Sequence, residues 1–286
     1  MKINTETKLI GRFHKEDNGT GLNIYNPYFE ENNINAVYLL FKDTSPENLI
    51  DGMRKLNLAG AITAGFETDS TIPNLVDSQT KYSQIAERVG VVKNTNGLIE
   101  AHYQGGQGLL NSITEKYNIE GKRVVIVGAG TVVKTFLLAI EQSNTNIAEI
   151  VILNRTVSNA EKIKGISTKV KSIGQLKELE TISGDILVNA SRIGSKADDS
   201  IFTEQIVKQF DAIADVTFGS RDTKLIVNAE KQSKVVIDGW DMFTHQAAVV
   251  LKFILNHDAN IDSLRRHVVN GLGESNHGAS LVRKTN

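Results

Sequence analysis

The stretch Val124-Val125-Ile126-Val127-Gly128-Ala129-Gly130-Thr131-Val132-Val133 decides the fold. It reads as a buried strand, a glycine turn and the start of a helix. Gly128 permits the tight turn. Gly130 lets the backbone approach a pyrophosphate held at the amide end of the helix dipole. Val133 stands where the GxGxxG pattern has its third glycine or alanine, and the larger side chain spaces helix from strand. An ordinary βα turn is the alternative reading of two glycines alone. Gly128, Ala129, Gly130, Thr131 and Val132 are the candidate phosphate-facing residues.

Outward from this turn, strands and helices alternate. Lys122–Val127 is the strand, Thr131–Gln142 the helix, Glu149–Leu153 the next strand and Ser158–Lys164 a helical stretch. Ile186–Val188, Ala212–Val216 and Val235–Ile237 are further short strands. Their runs are continuously apolar and β-branched, which predicts a parallel sheet covered on both faces. From Met242 the pattern is helical, and Gly271–Asn286 reads as a loose polar tail. Upstream, Lys8–Arg12, Ala36–Phe41 and Gly60–Thr63 read as strands, with helices over Asn23–Asn32 and Pro46–Leu56. The glycine-rich run Gln104–Gly108 marks the region of a domain junction.

The strand Glu149–Leu153 ends in Asn154-Arg155-Thr156. NAD-binding folds usually carry an acidic residue at that tip, which holds the ribose hydroxyls. Here the tip offers an amide, a guanidinium and a hydroxyl. A carboxylate would repel a 2′-phosphate, whereas Arg155 pairs with one and stacks on adenine. Glu149 begins the strand and so points to the wrong end. These residues predict NADP rather than NAD; an Arg155 that is only a surface residue is the alternative.

Composition narrows the function classes. With 286 residues, 40% of them hydrophobic, the chain can bury a sizeable core in one or two domains. A net charge of -1 gives no basic excess for nucleic acid or an anionic membrane. The absence of cysteine excludes disulfides and thiolate chemistry, and six scattered histidines argue against a built-in metal site. No hydrophobic signal core or spanning run is present, so the expected setting is cytoplasmic, with a small-molecule substrate.

The chain resembles the shikimate dehydrogenase family over almost its whole length. The resemblance rests on Gly128-Ala129-Gly130, on Asn154-Arg155-Thr156 followed by Ala160-Glu161-Lys162, on Asp185–Ser191 (DILVNAS), and on Asp238–Ala248 (DGWDMFTHQAA). Leu9-Ile10-Gly11, Tyr25-Asn26 and Ala36–Phe41 also resemble the family's opening. It implies a two-domain α/β fold. A substrate-binding domain covers 1–104 and an NADP-binding Rossmann domain 105–240; C-terminal helices over 241–286 return to the first domain. A monomer or a homodimer would fit. By resemblance, Asn154, Arg155 and Thr156 hold the adenosine phosphate. Asn189, Ala190, Ser191 and Val216 line the cofactor, and Gly239 and Met242 lie near the nicotinamide.

The departures fall on the substrate. The family's NVTxPxK strand, whose lysine is catalytic, corresponds to Ala61–Glu67, where Thr63 survives and Glu67 or a neighbour stands in the lysine's place. No lysine occurs between Lys55 and Lys81. The family's NTDG, whose aspartate pairs with that lysine, corresponds to His102-Tyr103-Gln104-Gly105. Its carboxylate-holding serines correspond to the Gly19-Thr20-Gly21 region, its VNT asparagine falls near Val89, and its late tyrosine is Phe218. Gln246 is retained. A positioned general acid contributes roughly 10²–10⁴-fold, so these losses predict a substrate other than shikimate.

His102, Tyr103 and Glu67 are the candidate catalytic residues: His102 to protonate a carbonyl oxygen or imine nitrogen, Glu67 to balance a cationic substrate. Packing at the junction, with Glu67 in solvent, is the alternative for them. Thr63, Gln104, Gln246 and Phe218 are the candidate substrate contacts. The expected function is NADP-dependent hydride transfer to or from a ketone or imine. A non-catalytic NADP-binding protein, and a shikimate dehydrogenase with altered catalytic groups, are the two alternatives.

Overall fold

Among the described residues, apolar residues at alternate or successive positions of short β-branched runs set two six-stranded sheets. The computed structural model describes residues 3–14, 19–43, 45–63, 66, 71–143, 145–194, 200–218 and 221–275. The chain forms two compact units, residues 1–104 with 247–286, and residues 105–246.

In the first unit the order is β1 (Lys8–His14), α1 (Thr20–Glu31), β2 (Ala36–Lys42), α2 (Pro46–Lys55), β3 (Gly60–Ile62), α3 (Ile72–Leu75), β4 (Ser78–Gln79), α4 (Lys81–Ala86), β5 (Val91–Thr95) and β6 (Leu98–His102). The sheet order is β2-β1-β3-β5-β6-β4. β1 pairs in parallel with β2 and β3, and β4 with β6; β5 is antiparallel to both β3 and β6. Pro46 opens α2, where its missing amide costs nothing, and the Ser45 side chain caps the helix by accepting from the Asn48 amide. On that side of the sheet Phe13, Ile50, Met53, Leu58, Ala61 and Ile99 form a buried cluster. Each large member stabilises the fold by about 1.5–3 kcal/mol. On the other side Tyr25 of α1 stacks on Tyr38 of β2 with centroids 4.7 Å apart.

The hairpin β5–β6 goes beyond the strands that apolar runs predict. Its signal is Asn96-Gly97, both at positive φ (54° and 90°), the conformation that matches the twist of the flanking strands.

The second unit holds α5 (Gly105–Lys116), β7 (Arg123–Val127), α6 (Thr131–Ser143), β8 (Glu149–Leu153), α7 (Val157–Glu161), β9 (Val170–Gly174), β10 (Ile186–Asn189), α8 (Glu204–Lys208), β11 (Ala212–Asp215), α9 (Lys224–Lys231) and β12 (Val235–Ile237). α10 (Gly239–Leu255) carries the chain back to the first unit, where α11 (Ile261–Ser275) follows. The second sheet is wholly parallel, in the order β12-β11-β10-β7-β8-β9. Counting from β7, this is the doubly wound order 3-2-1-4-5-6 read from the other edge, with its switch point between β7 and β10.

Two local expectations change. The Gln104–Gly108 run, read as the region of a domain junction, lies where the two units divide, and its residues from Gly105 on open α5, with neighbours pressing on Gly106 and Gly108. A Cβ at Gly106 would lie 2.0 Å from the Thr135 backbone of α6, and one at Gly108 2.4 Å from Gln246 Cγ. The helical stretch after β8 is shorter than predicted, closing at Glu161 and resuming as a 3-10 turn over Lys164–Ile166. The start of the expected loose tail, Gly271–Ser275, is helical instead. Leu272 is buried, and a Cβ at Gly271 would meet Ile24 of α1 at 2.5 Å. Residues 276–286 lie outside the described residues. Among the described residues, no helix is long and apolar enough to cross a membrane.

Candidate functional site

In the second unit the chemistry gathers at the C-terminal edge of the parallel sheet. Gly128, just past β7, has φ 119°, and a Cβ there would lie 2.6 Å from the Ala190 carbonyl oxygen beyond β10. Only glycine fits this turn, because it needs both the conformation and the close approach. Its amide donates to the Leu153 carbonyl at 2.9 Å, which ties the turn to the tip of β8. At Gly130 a Cβ would meet nothing within 4 Å, so the backbone there is open to a ligand. The thirteen-residue α6 then starts at Thr131, and its first amides face this opening end of the helix. Val133 is fully buried, spacing the helix from the sheet as its size requires.

At the tip of β8, the Asn154 amide side chain donates to the Thr156 carbonyl at 2.8 Å and its backbone N–H to Gly174 at 3.1 Å. Arg155 and Thr156 are exposed on the turn so formed. At the far end of β8, Glu149 pairs with Arg123 of β7. The carboxylate of this strand is thus engaged away from the tip that carries Arg155.

The ends of β10 and β11 are knitted by a buried carboxylate. Asp215 accepts from the Asn189 amide (3.1 Å), the Thr217 amide and hydroxyl (3.1 and 2.8 Å) and the Thr223 hydroxyl (2.7 Å). Burial pushes its carboxyl above the usual range, against the pull of those four donors. Asn189 is fully buried; its amide also donates to the Ile193 carbonyl, while its carbonyl takes the Ser191 hydroxyl at 2.7 Å. Both ends of the Asn189 side chain are therefore occupied by protein groups, which shape the loop that places Ala190 and Ser191. Val216 continues the same strand end, its amide donating to the Asn189 carbonyl. Gly239, at the start of α10, presses on the β11 loop: a Cβ there would lie 2.2 Å from the Thr217 carbonyl. Met242 is buried, and Gln246 packs over Gly108. Phe218 is 45% exposed, its ring tilted against Phe243 at 5.0 Å. The roles of Asp215, Thr217 and Thr223 escape the sequence reading; Asp-x-Thr at a strand end was the available signal, since such pairs close their own turns.

In the first unit the candidates meet at one sheet edge. The Thr63 hydroxyl is buried and donates to the Val89 carbonyl at 2.7 Å; its amide donates to Gly90 at 3.1 Å. The Gly90 amide in turn donates to the His102 carbonyl at 2.9 Å. Gln104 lies over Gly90, where a Cβ would come within 2.2 Å of its Oε1, and that buried oxygen has no hydrogen-bond partner among the described residues. The register sets Arg12, Ile62, Val91 and His102 side by side on one face of the sheet. Phe253 of α10 covers that face, stacked on the His102 ring at 5.0 Å, with Tyr82 edge-on at 5.2 Å. Nδ1 of His102 and the Thr80 hydroxyl are 2.9 Å apart. Tyr103 is half-buried beside them. Glu67 lies outside the described residues. No group of three His, Asp or Glu side chains suited to a metal occurs among the described residues.

Residues 109–218 match the family described as Shikimate / quinate 5-dehydrogenase. The chain is similar to the shikimate dehydrogenase (NADP+) of Pyrococcus abyssi, 27% identical over 253 residues, covering 88% of this chain and 93% of that one. It is 29% identical over 290 residues to the protein of the same name from Alkaliphilus metalliredigens, covering 94% and 99% of the two chains. A crystal structure of a shikimate dehydrogenase in complex with NADP+ superposes with a TM-score of 0.74 at 26% identity, covering 94% and 96% of the two chains.

Proposed function

We propose, from the match of residues 109–218 to the shikimate / quinate 5-dehydrogenase family, that the chain is an NADP-dependent oxidoreductase whose substrate is a ketone or imine other than shikimate. The observation that carries the cofactor is the pairing of an open glycine turn with an exposed guanidinium. Gly130 offers bare backbone at the head of α6, Gly128 is bonded to the end of β8, and Arg155 stands exposed two residues further on. In this reading Gly128, Ala129, Gly130, Thr131 and Val132 take the pyrophosphate, and Asn154, Arg155 and Thr156 take the adenosine phosphate. Ala190, Ser191, Val216, Gly239 and Met242 line the rest, with Asn189 shaping their loop. When bound, the nicotinamide gives or takes the hydride.

The reaction also needs a proton. His102, with Tyr103 beside it, is the proposed donor to a carbonyl oxygen or imine nitrogen. Glu67 balances a cationic substrate. Thr63 and Gln104 contact the substrate from their sheet edge, and Gln104 Oε1, buried and unpaired, suits a substrate hydroxyl or N–H. Gln246 and Phe218 keep the substrate-contact roles that the resemblance implies.

The test has two stages. Calorimetry is expected to give tighter binding of NADPH than NADH, and Arg155→Ala to erase that preference, about 10- to 100-fold. Equal affinity for both dinucleotides in the unaltered protein would end the proposal. NADPH oxidation is then followed against a panel of ketones and imines, with His102→Ala, Tyr103→Ala and Glu67→Ala. Turnover lost without loss of NADPH affinity supports the enzyme. The burial of His102 between two aromatic rings favours a second reading, a non-catalytic NADP-binding protein, which silence across the panel would support. The names of the relatives favour a third, shikimate oxidation by altered groups; robust NADP-dependent turnover of shikimate would establish it.

A further inference from the structure

We propose that Asn26 is an edge plug, which keeps the outer edge of β2 from pairing with the same strand of a second copy of this chain. The inference stands apart from the proposed activity. In the first sheet β4 and β2 are the two edge strands. β4 has only two residues, too short to template another strand. β2 has seven, Ala36–Lys42, and six of them run Ala36-Val37-Tyr38-Leu39-Leu40-Phe41. A six-residue apolar segment without charge, proline or glycine is the composition that cross-β stacking uses. At an open edge it would recruit its own copy, because identical strands offer each other the same row of N–H and C=O groups.

β1 takes one side of β2 in a parallel ladder, with Ile10 opposite Tyr38. The N–H and C=O of one strand residue point to the same side, and successive residues alternate. At Tyr38 both groups are taken by Asn26 of α1. The Tyr38 N–H donates to Asn26 Oδ1 at 2.8 Å, and Asn26 Nδ2 donates to the Tyr38 carbonyl at 3.0 Å. The backbone groups of Tyr38 therefore face away from β1, and those of Ala36 and Leu40 face the same way. The Ala36 N–H donates to the Ile34 carbonyl at 2.8 Å. A primary amide carries the donor and the acceptor that a neighbouring strand would bring, so Asn26 stands in for that neighbour at the middle of the edge. The helix is seated to do so. The Tyr25 ring stacks on the Tyr38 ring at 4.7 Å and 24°. Gly21 makes room for the same ring, since a Cβ there would lie 2.6 Å from Tyr38 Cε1. Lys42, exposed at the end of β2, adds a charge that opposes stacking.

Amide exchange in the unaltered protein is the first test. The Tyr38 N–H, though turned away from β1, is expected to exchange as slowly as those of Val37 and Leu39, within about tenfold. Exchange at the open-chain rate overturns the proposal, and this arm needs no variant. Asn26→Leu then keeps the bulk of the side chain and removes both bonds. At low concentration its Tyr38 amide is expected to exchange about tenfold faster. At higher concentration sedimentation is expected to show a larger species than the unaltered protein forms, with exchange at Leu40 slowed in it. Leu39 is 37% exposed on the same strand, and Leu39→Lys added to Asn26→Leu is expected to restore the unaltered size. Asn26→Ala repeats the series with a small side chain, so that a packing fault of leucine is told apart from loss of the bonds. A folded Asn26→Leu or Asn26→Ala protein that keeps the unaltered size at every concentration overturns the proposal. So does a larger species in which Leu40 exchange is unchanged.

Discussion

The two sheets of this protein end in different ways. At the edge of the parallel sheet of residues 105–246, glycine decides what happens: Gly128 at φ 119° and Gly239 each let one backbone segment press on another, and Gly130 leaves its backbone bare. At the edge of the first sheet, side chains decide: Thr63 and His102 are buried and hydrogen-bonded to Val89 and Thr80, and the half-buried Gln104 lies against Gly90. A backbone site reads only phosphate and helix dipole, so many sequences can build it the same way. A side-chain site reads a substrate's hydroxyls and charges, so it changes when the substrate does.

The sharpest way to break this contrast is at the tightest glycine. In Gly106→Ala the new methyl meets the α6 backbone at 2.0 Å, and no flexible side chain can give way. Overpacking of this kind is expected to cost about 3 kcal/mol, read as a lower urea midpoint. An unshifted midpoint would mean that α5 can move aside freely. Next is Gly128→Ala, which combines a positive φ with a 2.6 Å contact to a carbonyl oxygen. It is expected to lose about 2 kcal/mol of stability and to weaken dinucleotide binding at least about tenfold. Binding left intact in that variant would remove the turn from the proposed site.

The first unit should respond through polar contacts. Tyr28→Phe deletes a hydroxyl that accepts from the Asn260 amide at 3.1 Å and lies 3.2 Å from His257 Nε2. A loss of about 1 kcal/mol is expected, seen as faster amide exchange at the start of α11. The smallest effect concerns acid. Hydrogen bonds from Ser167, and then from the Thr168 amide and hydroxyl, hold the Glu141 carboxyl below its usual 4.5. A depressed folded value means that the stabilisation is present above that pH and is lost as pH falls through the folded pKa. Glu141→Gln should therefore flatten the acid side of the stability profile and change neutral stability by only a few tenths of a kcal/mol. Asp215, held above its usual value by burial, works in the opposite sense: its share is present at low pH and is lost as pH rises through the folded pKa. An unchanged acid limb in the Glu141 variant would show that this half-buried carboxylate contributes nothing.

Legibility followed the range of the interactions. β7, the turn at Gly128, α6 and β8 were readable because a buried parallel strand and a nucleotide-type turn each have a local signature. The hairpin at Asn96-Gly97 was equally local, and its turn residues outweighed polar strands with little apolar pattern. α5 was obscured because its glycines answer to α6 and α10 rather than to helix propensity. His102 was readable as a candidate from its position in the chain, but its partners Thr80, Tyr82 and Phe253 come from three other elements.

The sequence by itself determined the parallel sheet, the glycine turn and the guanidinium at the end of β8, because each depends on residues within one strand–turn–helix unit. Only the tertiary structure decided that Asn189 and Asp215 bind each other and that an imidazole is gripped by a threonine and two aromatic rings. Those outcomes depend on which strands become neighbours. Neighbouring strands are chosen by burial of the whole sheet, a quantity that no short stretch of sequence contains.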